Sequence, residues 1–407
     1  MIKRSPDDFV VEEILSPEVL ALSKEAGQSG PFALYRLEKE GLATPEAAGR
    51  IARALNVPSG SIAYAGLKDK HARTIQHLTL KLEAKPDAHA NLSGAGWTIQ
   101  RAGFLPRSIT ASDIHRNRFS ITVRNLSSQA AFDMEQAARL LAPAPSANGD
   151  KHGPRFVNYF GDQRFGSARH GRGFIARNLI KGDFEGALKL AIGTEARKDR
   201  MDQKVFKRTV RELWRKWPEL LAKLRPCAER RPIERLVNSS GDFRAAFCAL
   251  PYMLQQLSVY AYQSHLWNSI ARSTVATLCA PRGQVLAAED IFGEMLFPCA
   301  ESVPPELTGL MIPLLAHNTA LEEPWKVAAE EILKSEGITV SELKIPGVRR
   351  PFFGEEPRAF MVEAEEFSLG QPEKDDSAND PKRRKRRISF LLPRGCYATV
   401  LLRALGQ

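Results

Sequence analysis

Residues 66–76 read Gly-Leu-Lys-Asp-Lys-His-Ala-Arg-Thr-Ile-Gln and set a lone carboxylate, Asp69, among Lys68, Lys70, His71 and Arg73. The stretch joins two segments with strand character, 61–65 and 74–82; in the second, Leu78, Leu80 and Leu82 alternate with Thr79 and Lys81. Gly66 permits a sharp turn where a side chain would obstruct one. Opposite charge around a carboxylate favours its ionised form, and the same cations attract a polyanionic substrate. By composition alone the stretch also reads as a solvated hairpin loop with its charges on display.

Outward from this loop the first 150 or so residues alternate between strand and helix patterns. Phe9, Val11 and Glu13 share one face of a short strand, with Val10 and Ile14 on the other, and 32–37 predict a second strand. A helix follows, with Thr44 as its cap, Pro45 in its first position and an apolar stripe of Ala47, Ala48, Ile51, Ala52 and Leu55. After Asn117, residues Phe119, Ile121 and Val123 alternate as a further strand. Strands broken by helices predict an α+β fold, with an antiparallel or mixed sheet and helices on one side.

From about 175 to 335 the pattern is mostly helical, notably over 201–224, 244–281 and 324–335, with Pro251 and Pro281 interrupting or ending the runs. Strand-like sequence returns at 359–367 and 388–393. This order predicts a sheet domain of residues 1–155 and 345–407, interrupted by a mostly helical insertion at 156–344. The polar segment 370–381 reads as a mobile loop, which runs into the consecutive cations Lys382, Arg383, Arg384, Lys385, Arg386 and Arg387. That run has three readings: an electrostatic arm for RNA (the favoured one), a solvated tail, or a nuclear-localisation-like tract. Tyr260, Tyr262, Gln263, His265 and Trp267 fall on several faces of one helix and read mostly as packing within the insertion.

Composition bounds the function classes. At 407 residues and 43% hydrophobic content the chain fills ordinary globular cores, and no window approaches the roughly 18 apolar residues of a membrane span. The start, Met1-Ile2-Lys3-Arg4-Ser5-Pro6, carries no signal-peptide pattern. Five scattered cysteines without a C-x-x-C pair argue against a disulfide framework and a structural zinc site, and make a reducing cytoplasm the expected location. His71 and His77 have no third ligand at zinc spacing. A net charge of +11 suits a phosphate-rich partner. No P-loop or dinucleotide fingerprint is present.

Four more segments join the Asp69 loop: Asp8-Phe-Val-Val-Glu-Glu13, Asn117-Arg-Phe119, Asn158-Tyr-Phe-Gly-Asp-Gln-Arg-Phe-Gly166 and Phe390-Leu-Leu-Pro-Arg-Gly-Cys-Tyr-Ala-Thr399. Together, in this order and over nearly the full chain, they resemble the TruD family of pseudouridine synthases. One departure is Val157, where that family usually has proline before the Asn-Tyr-Phe-Gly element; Pro154 stands three residues earlier. The resemblance implies the pseudouridine synthase mixed sheet with an inserted TRUD domain. It implies isomerisation of a uridine in tRNA, uridine 13 of the D arm, by a cytoplasmic monomer that needs no cofactor or metal.

Residue by residue, the resemblance makes Asp69 the catalytic aspartate and Lys3 a basic group paired with it. Phe119 becomes the ring that stacks on the target base and Asn117 an active-site amide. Phe9 and Glu13 border the site, Lys68 flanks the aspartate, and Gln163 and Arg164 belong to the signature that opens the insertion. Lys70 and Arg73 join the basic run as contacts to the RNA backbone. By pattern alone Phe119 is a core residue, Lys3 a solvated terminal lysine, Asn117 the end of a turn, Glu13 part of a charged edge with Glu12, and Gln163 and Arg164 structural hydrogen-bonders. An ionised carboxylate can cleave a glycosidic bond as nucleophile at C1′ or as base at C2′, and both routes stay open. The alternatives are the same chemistry on other RNAs, a non-catalytic RNA-binding protein or chaperone, and a glycoside hydrolase releasing free uracil.

Overall fold

The computed structural model describes residues 2, 4–25, 29–84, 90–145, 148–149, 151–166, 168, 172–195 and 199–407. The chain divides into two compact units, Met1–Phe156 with Val362–Gln407, and Val157–Met361. The return to the first unit falls at 361/362, later than the 344/345 read from sequence. Residues 352–359 bind the second unit: Gln256 Nε2 donates to Phe352 O at 2.9 Å, Gln263 Nε2 to Gly354 O at 2.8 Å, and strand Glu356–Ala359 pairs with Met311–Leu314.

The first unit contains, in chain order, β1 (Phe9–Leu15), α1 (Pro17–Glu25), β2 (Phe32–Lys39), α2 (Thr44–Leu55), β3 (Ile62–Tyr64), β4 (Arg73–Lys81), β5 (Asn91–Gly94), β6 (Trp97–Leu105), β7 (Ile114–Leu126), α3 (Ser128–Leu141), β8 (Glu365–Leu369), β9 (Glu373–Lys374), β10 (Arg384–Pro393) and α4 (Ala398–Ala404). Its strands form one 10-stranded sheet in the order β8-β10-β7-β1-β4-β2-β6-β5, with β9 on β10 and β3 on β4. The β1–β4 pair is parallel, whereas β1–β7, β7–β10, β2–β4 and β2–β6 are antiparallel. The sheet is therefore mixed, and the fold is α+β.

Register decides which side chains share a face, because residues two apart along a strand point the same way. Phe119 on β7 stands opposite both Val11 and Phe390, and Asn117 opposite both Glu13 and Leu392. Val11 aligns with Thr74, Thr74 with Lys39, and Gln76 with Leu37. One continuous face thus runs from β10 through Phe119, Val11 and Thr74 to Lys39.

On that face α2 buries its stripe, Ala47, Ala48, Ile51, Ala52 and Leu55, against Tyr35, Leu37, Leu78, Leu80 and Ile99. Each fully buried aliphatic side chain contributes about 1.5–3 kcal/mol. Toward the other end α3 packs on β7 and β10 with Ala131, Met134, Ala138 and Leu141 buried. The helices do not all lie on one side, however. Val19 of α1 packs with Leu34, which alternates with Tyr35 and so belongs to the opposite face.

Two further expectations are corrected in this unit. Thr44 is the first residue of α2 rather than its cap, which is Ala43. The segment 370–387 is also not a mobile basic loop: Glu373 pairs with Lys385, and Arg384 to Arg387 lie within β10 against β7. Arg386, 2% exposed, donates to Gly370 O at 2.8 Å and Ala131 O at 2.6 Å, and lies 3.3 Å from Glu135 Oε2. Arg124 holds the turn before it, bonding Asp375 and Asp376 at 2.9 Å and Asp8 at 2.8 Å.

The second unit is built on the helix Tyr252–Leu278, with shorter helices including Phe184–Gly193, Met201–Glu212 and Lys326–Glu336. The mostly helical expectation missed strands here. Val285–Asp290 and Gly293–Pro298 form a hairpin. Tyr262, Gln263 and Trp267 are buried on the long helix, where Trp267 Nε1 donates to Ile312 O at 2.9 Å.

Candidate active site

Between the areas covered by α2 and α3, polar side chains replace apolar ones on the same face. Glu13 of β1, Lys39 of β2, Thr74 and Gln76 of β4, and Asn117 of β7 are all buried. Burying such groups is costly unless they are hydrogen-bonded or paired, and most of them are. Glu13 Oε1 lies 2.7 Å from Lys68 Nζ, and Glu13 Oε2 accepts the His77 N–H at 2.9 Å. Thr44 Oγ1 donates to Gln76 Oε1 at 3.0 Å and accepts the Lys68 N–H at 3.0 Å. The start of α2, strand β4 and the Asp69 loop are thereby joined through one hydroxyl.

The loop itself is held from several sides. Lys39 Nζ donates to Asp69 O at 3.1 Å and to Leu42 O at 2.9 Å. The half-buried Asp69 accepts the His71 N–H on Oδ1 at 2.9 Å, the local turn to which aspartate is suited. Gly66 is not in a left-handed conformation, and the obstruction expected of a side chain there is absent. A Cβ there would sit 3.8 Å from both Glu13 Oε1 and Lys68 Nζ, an ordinary contact distance.

Apart from Glu13 Oε1, which is ion-paired with Lys68, three buried atoms on this face have no hydrogen-bond partner among the described residues: Thr74 Oγ1, Gln76 Nε2 and Asn117 Oδ1. They offer donor and acceptor capacity beside the loop that carries Asp69, as a site for a polar heterocycle requires. The electrostatics of the surroundings are unusual too. Burial, with the Lys68 charge nearby, brings the Lys39 ammonium down to about 8, against the opposing pull of Asp69 and Glu13. Burial, with Arg36 and Lys68 adding to it, brings His77 down to about 4.

The residues expected from sequence separate into groups. Asp69, Lys68, Glu13 and Asn117 converge, and Phe9 and Phe119 sit on the same sheet face. Phe119 is 7% exposed; its ring stacks on Phe390 with centroids 5.3 Å apart and meets Phe9 edge-on at 6.3 Å. Much of it is thus packed as the strand pattern indicated. Lys70 is half exposed, 3.7 Å from Glu46. Arg73 is engaged by Glu38 at 2.7 Å and Asp7 at 3.1 Å.

Lys3 lies outside the described residues. Gln163 and Arg164 belong to the second unit, where Arg164 Nε donates to Ser264 Oγ at 3.1 Å and its guanidinium lies 4.8 Å from the Tyr260 ring centre. The basic run is not a free arm: Lys385 pairs with Asp376 at 2.9 Å, Arg383 with Asp380 at 3.4 Å, and Arg386 is buried. Lys382 and Arg387 are exposed and Arg384 half-buried.

Lys39 and Gln76 were not singled out from sequence. Lys39 continues the Ala33-Tyr35-Leu37 alternation by one inward position, and an inward lysine on such a strand was the available signal.

Residues 1–292 and 300–405 match the family described as tRNA pseudouridine synthase D (TruD). The chain is 28% identical over 412 residues to tRNA pseudouridine synthase D of Aquifex aeolicus, covering 99% of this chain and 97% of that protein. It is 25% identical over 413 residues to a probable tRNA pseudouridine synthase D 1 of Methanococcus maripaludis, covering 98% of each. The crystal structure of a putative TruD from Methanosarcina mazei matches with a TM-score of 0.68 at 21% identity, over 99% of this chain and 92% of that one, and shows the same fold. A match that spans both units places the chain in the tRNA pseudouridine synthase D family, a family of isomerases.

Proposed function

We propose that the protein converts uridine 13 in the D arm of tRNA to pseudouridine, with Asp69 as the catalytic residue, acting as a cytoplasmic monomer. The observation that carries this reading is the Asp69 loop, fixed by Lys39, Thr44 and the Glu13–Lys68 pair beside buried amides with unused hydrogen-bonding capacity. The reaction breaks the N1–C1′ bond of the uridine, turns the uracil and forms a C5–C1′ bond; the C5 proton is lost and N1 gains one, so composition is conserved. The Asp69 carboxylate acts either by adding to C1′ or by removing the C2′ proton.

Asn117 and Gln76 would hold the detached uracil through its carbonyl and imide groups. Flipping the base out of its stack costs a few kcal/mol. Contact with the accessible part of the Phe119 ring offsets some of it, since stacking contributes roughly 1–3 kcal/mol. Lys70 supplies an exposed charge next to the site for the RNA backbone.

The experiment is a pseudouridine-specific map of unmodified tRNA after incubation with wild-type and Asp69→Asn protein. A single new pseudouridine at position 13 with wild type only supports the full reading. Modification elsewhere with wild type only keeps the chemistry and moves the target. Binding by both proteins without modification by either reduces the protein to an RNA binder, and free uracil in the supernatant makes it a hydrolase.

A further inference from the structure

Lys39 is 1% exposed at the end of β2, on the sheet face that carries Glu13, Gln76 and Asn117. A lysine ammonium is rarely buried so completely without a dedicated task. Its two hydrogen bonds go to main-chain carbonyls, Leu42 O at 2.9 Å and Asp69 O at 3.1 Å. One carbonyl belongs to the corner between β2 and α2, the other to the residue that bears the catalytic carboxylate. We infer that Lys39 is a positioning residue for the reaction, fixing the main chain of Asp69 to the β2–α2 corner so that the carboxylate stands at one defined place above the sheet.

The inference rests on the reading of Asp69 as the catalytic group, and its logic is geometric. The His71 N–H fixes Asp69 from the side-chain end through Oδ1, at 2.9 Å. Lys39 fixes it from the main-chain end, through Asp69 O at 3.1 Å. A neutral donor would do this less firmly, because charge-assisted hydrogen bonds are about twice as strong as neutral ones. Misplacing a reacting group by 1 Å costs on the order of 100-fold in rate. The position also explains why the lysine stays buried despite the depression of its ammonium to about 8.

The test compares full-length wild type, Lys39→Met and Lys39→Arg on unmodified tRNA. It reads the single-turnover rate at saturating enzyme, the tRNA Kd, and amide hydrogen exchange across 66–72. For Lys39→Met the rate should fall by roughly 10- to 100-fold. Kd should stay near the wild-type value, and exchange should accelerate in 66–72 while β4 stays protected; Lys39→Arg should recover part of the rate. A Lys39→Met enzyme with wild-type rate, or with unchanged protection over 66–72, overturns the inference. Wild-type protein that makes no pseudouridine removes the underlying assignment instead, a result the wild-type rate reports by itself.

Should Lys39→Met fail to fold, wild-type exchange against pH decides. Asp69 and Lys68 of the loop and Glu13 of β1 face the ammonium, and β4 and β6 align Thr74 and Trp97 with it. The protection factor over 66–72 should drop as pH passes about 8; a constant factor through that range overturns the inference.

Discussion

Lys68 Nζ lies 2.7 Å from Glu13 Oε1, so the residue immediately before Asp69 is tied to a central strand of the sheet by a pair whose acid is fully buried and whose base is 15% exposed. Removing one partner of a buried pair strands the other charge, which costs about 3–5 kcal/mol in fully buried cases. Glu13→Gln should therefore lower the urea-derived stability by about 2–4 kcal/mol and reduce turnover more than tRNA affinity. Adding Lys68→Met to it should restore stability but not rate. A double variant as unstable as Glu13→Gln would show that the pair does not account for the loss.

His77, with a side chain 12% exposed, is neutral, its imidazole brought down to about 4 by burial, Arg36 and Lys68. Its unfolded value, near 6.5, is higher, so between these values the unfolded chain binds more protons than the folded one. Stability from this residue is complete above about pH 6.5 and is lost as pH falls toward 4. A His77→Gln chain should show a flatter stability profile by urea denaturation across that window. An equal slope in both proteins would assign the acid sensitivity to other groups.

Lys70 and Arg387 separate the two places where RNA charge contacts were expected. Lys70 is half exposed in the Asp69 loop, whereas Arg387 pairs with Thr122 and points to the face opposite Phe119 and Glu13. Lys70→Ala should reduce the slope of log Kd against log salt by about one unit. Arg387→Ala should leave it nearly unchanged, with stability within about 0.5 kcal/mol of wild type. Electrophoretic or fluorescence titrations at several salt concentrations measure both; the reverse ranking would move the RNA to the other face.

Arg386 should behave as a structural residue. Its guanidinium satisfies two carbonyls and meets Glu135, so Arg386→Met should cost about 2–4 kcal/mol by urea denaturation with no change in salt slope. A lowered slope in a normally stable variant would return this cation to the RNA.

Phe119 has both packing and contact roles to separate. Phe119→Ala should cost about 3–5 kcal/mol of stability, as for other buried aromatic deletions. Phe119→Leu should cost less than about 1.5 kcal/mol while still lowering kcat/KM by about tenfold through lost stacking. Equal kcat/KM in Phe119→Leu and wild type would leave the ring with packing alone.

How much was legible in the sequence depended on where periodicity carries information. Phe9-Val11-Glu13 and Phe119-Ile121-Val123 alternate cleanly, and both are inward runs of the sheet. In Lys382 to Arg387 every residue is charged, so the pattern is flat and could not show that Arg386 points inward while Arg387 points out. The hairpin at 285–298 was hidden because its first strand, Val-Leu-Ala-Ala-Glu-Asp, favours helix as readily as strand. Lys39 was hidden for another reason: its burial follows from partners 3 and 30 residues away, which local pattern does not register. The Asp69 loop was visible because its charge cluster is contiguous, whereas Gln76, at the end of the same stretch, is tied into the site by Thr44, 32 residues away.

The insertion of β10 between β7 and β8 has a consequence for the order of events during synthesis. The ring that stacks on Phe119 arrives with Phe390, after all of Val157–Met361 has been translated. Until then β7 is an open edge of the kind that invites misassociation. A ribosome-bound chain lacking residues 384–393 would hold Asp69, Glu13 and Asn117 on an unfinished sheet, so activity should switch on late and abruptly, when the last strand docks, rather than grow with chain length.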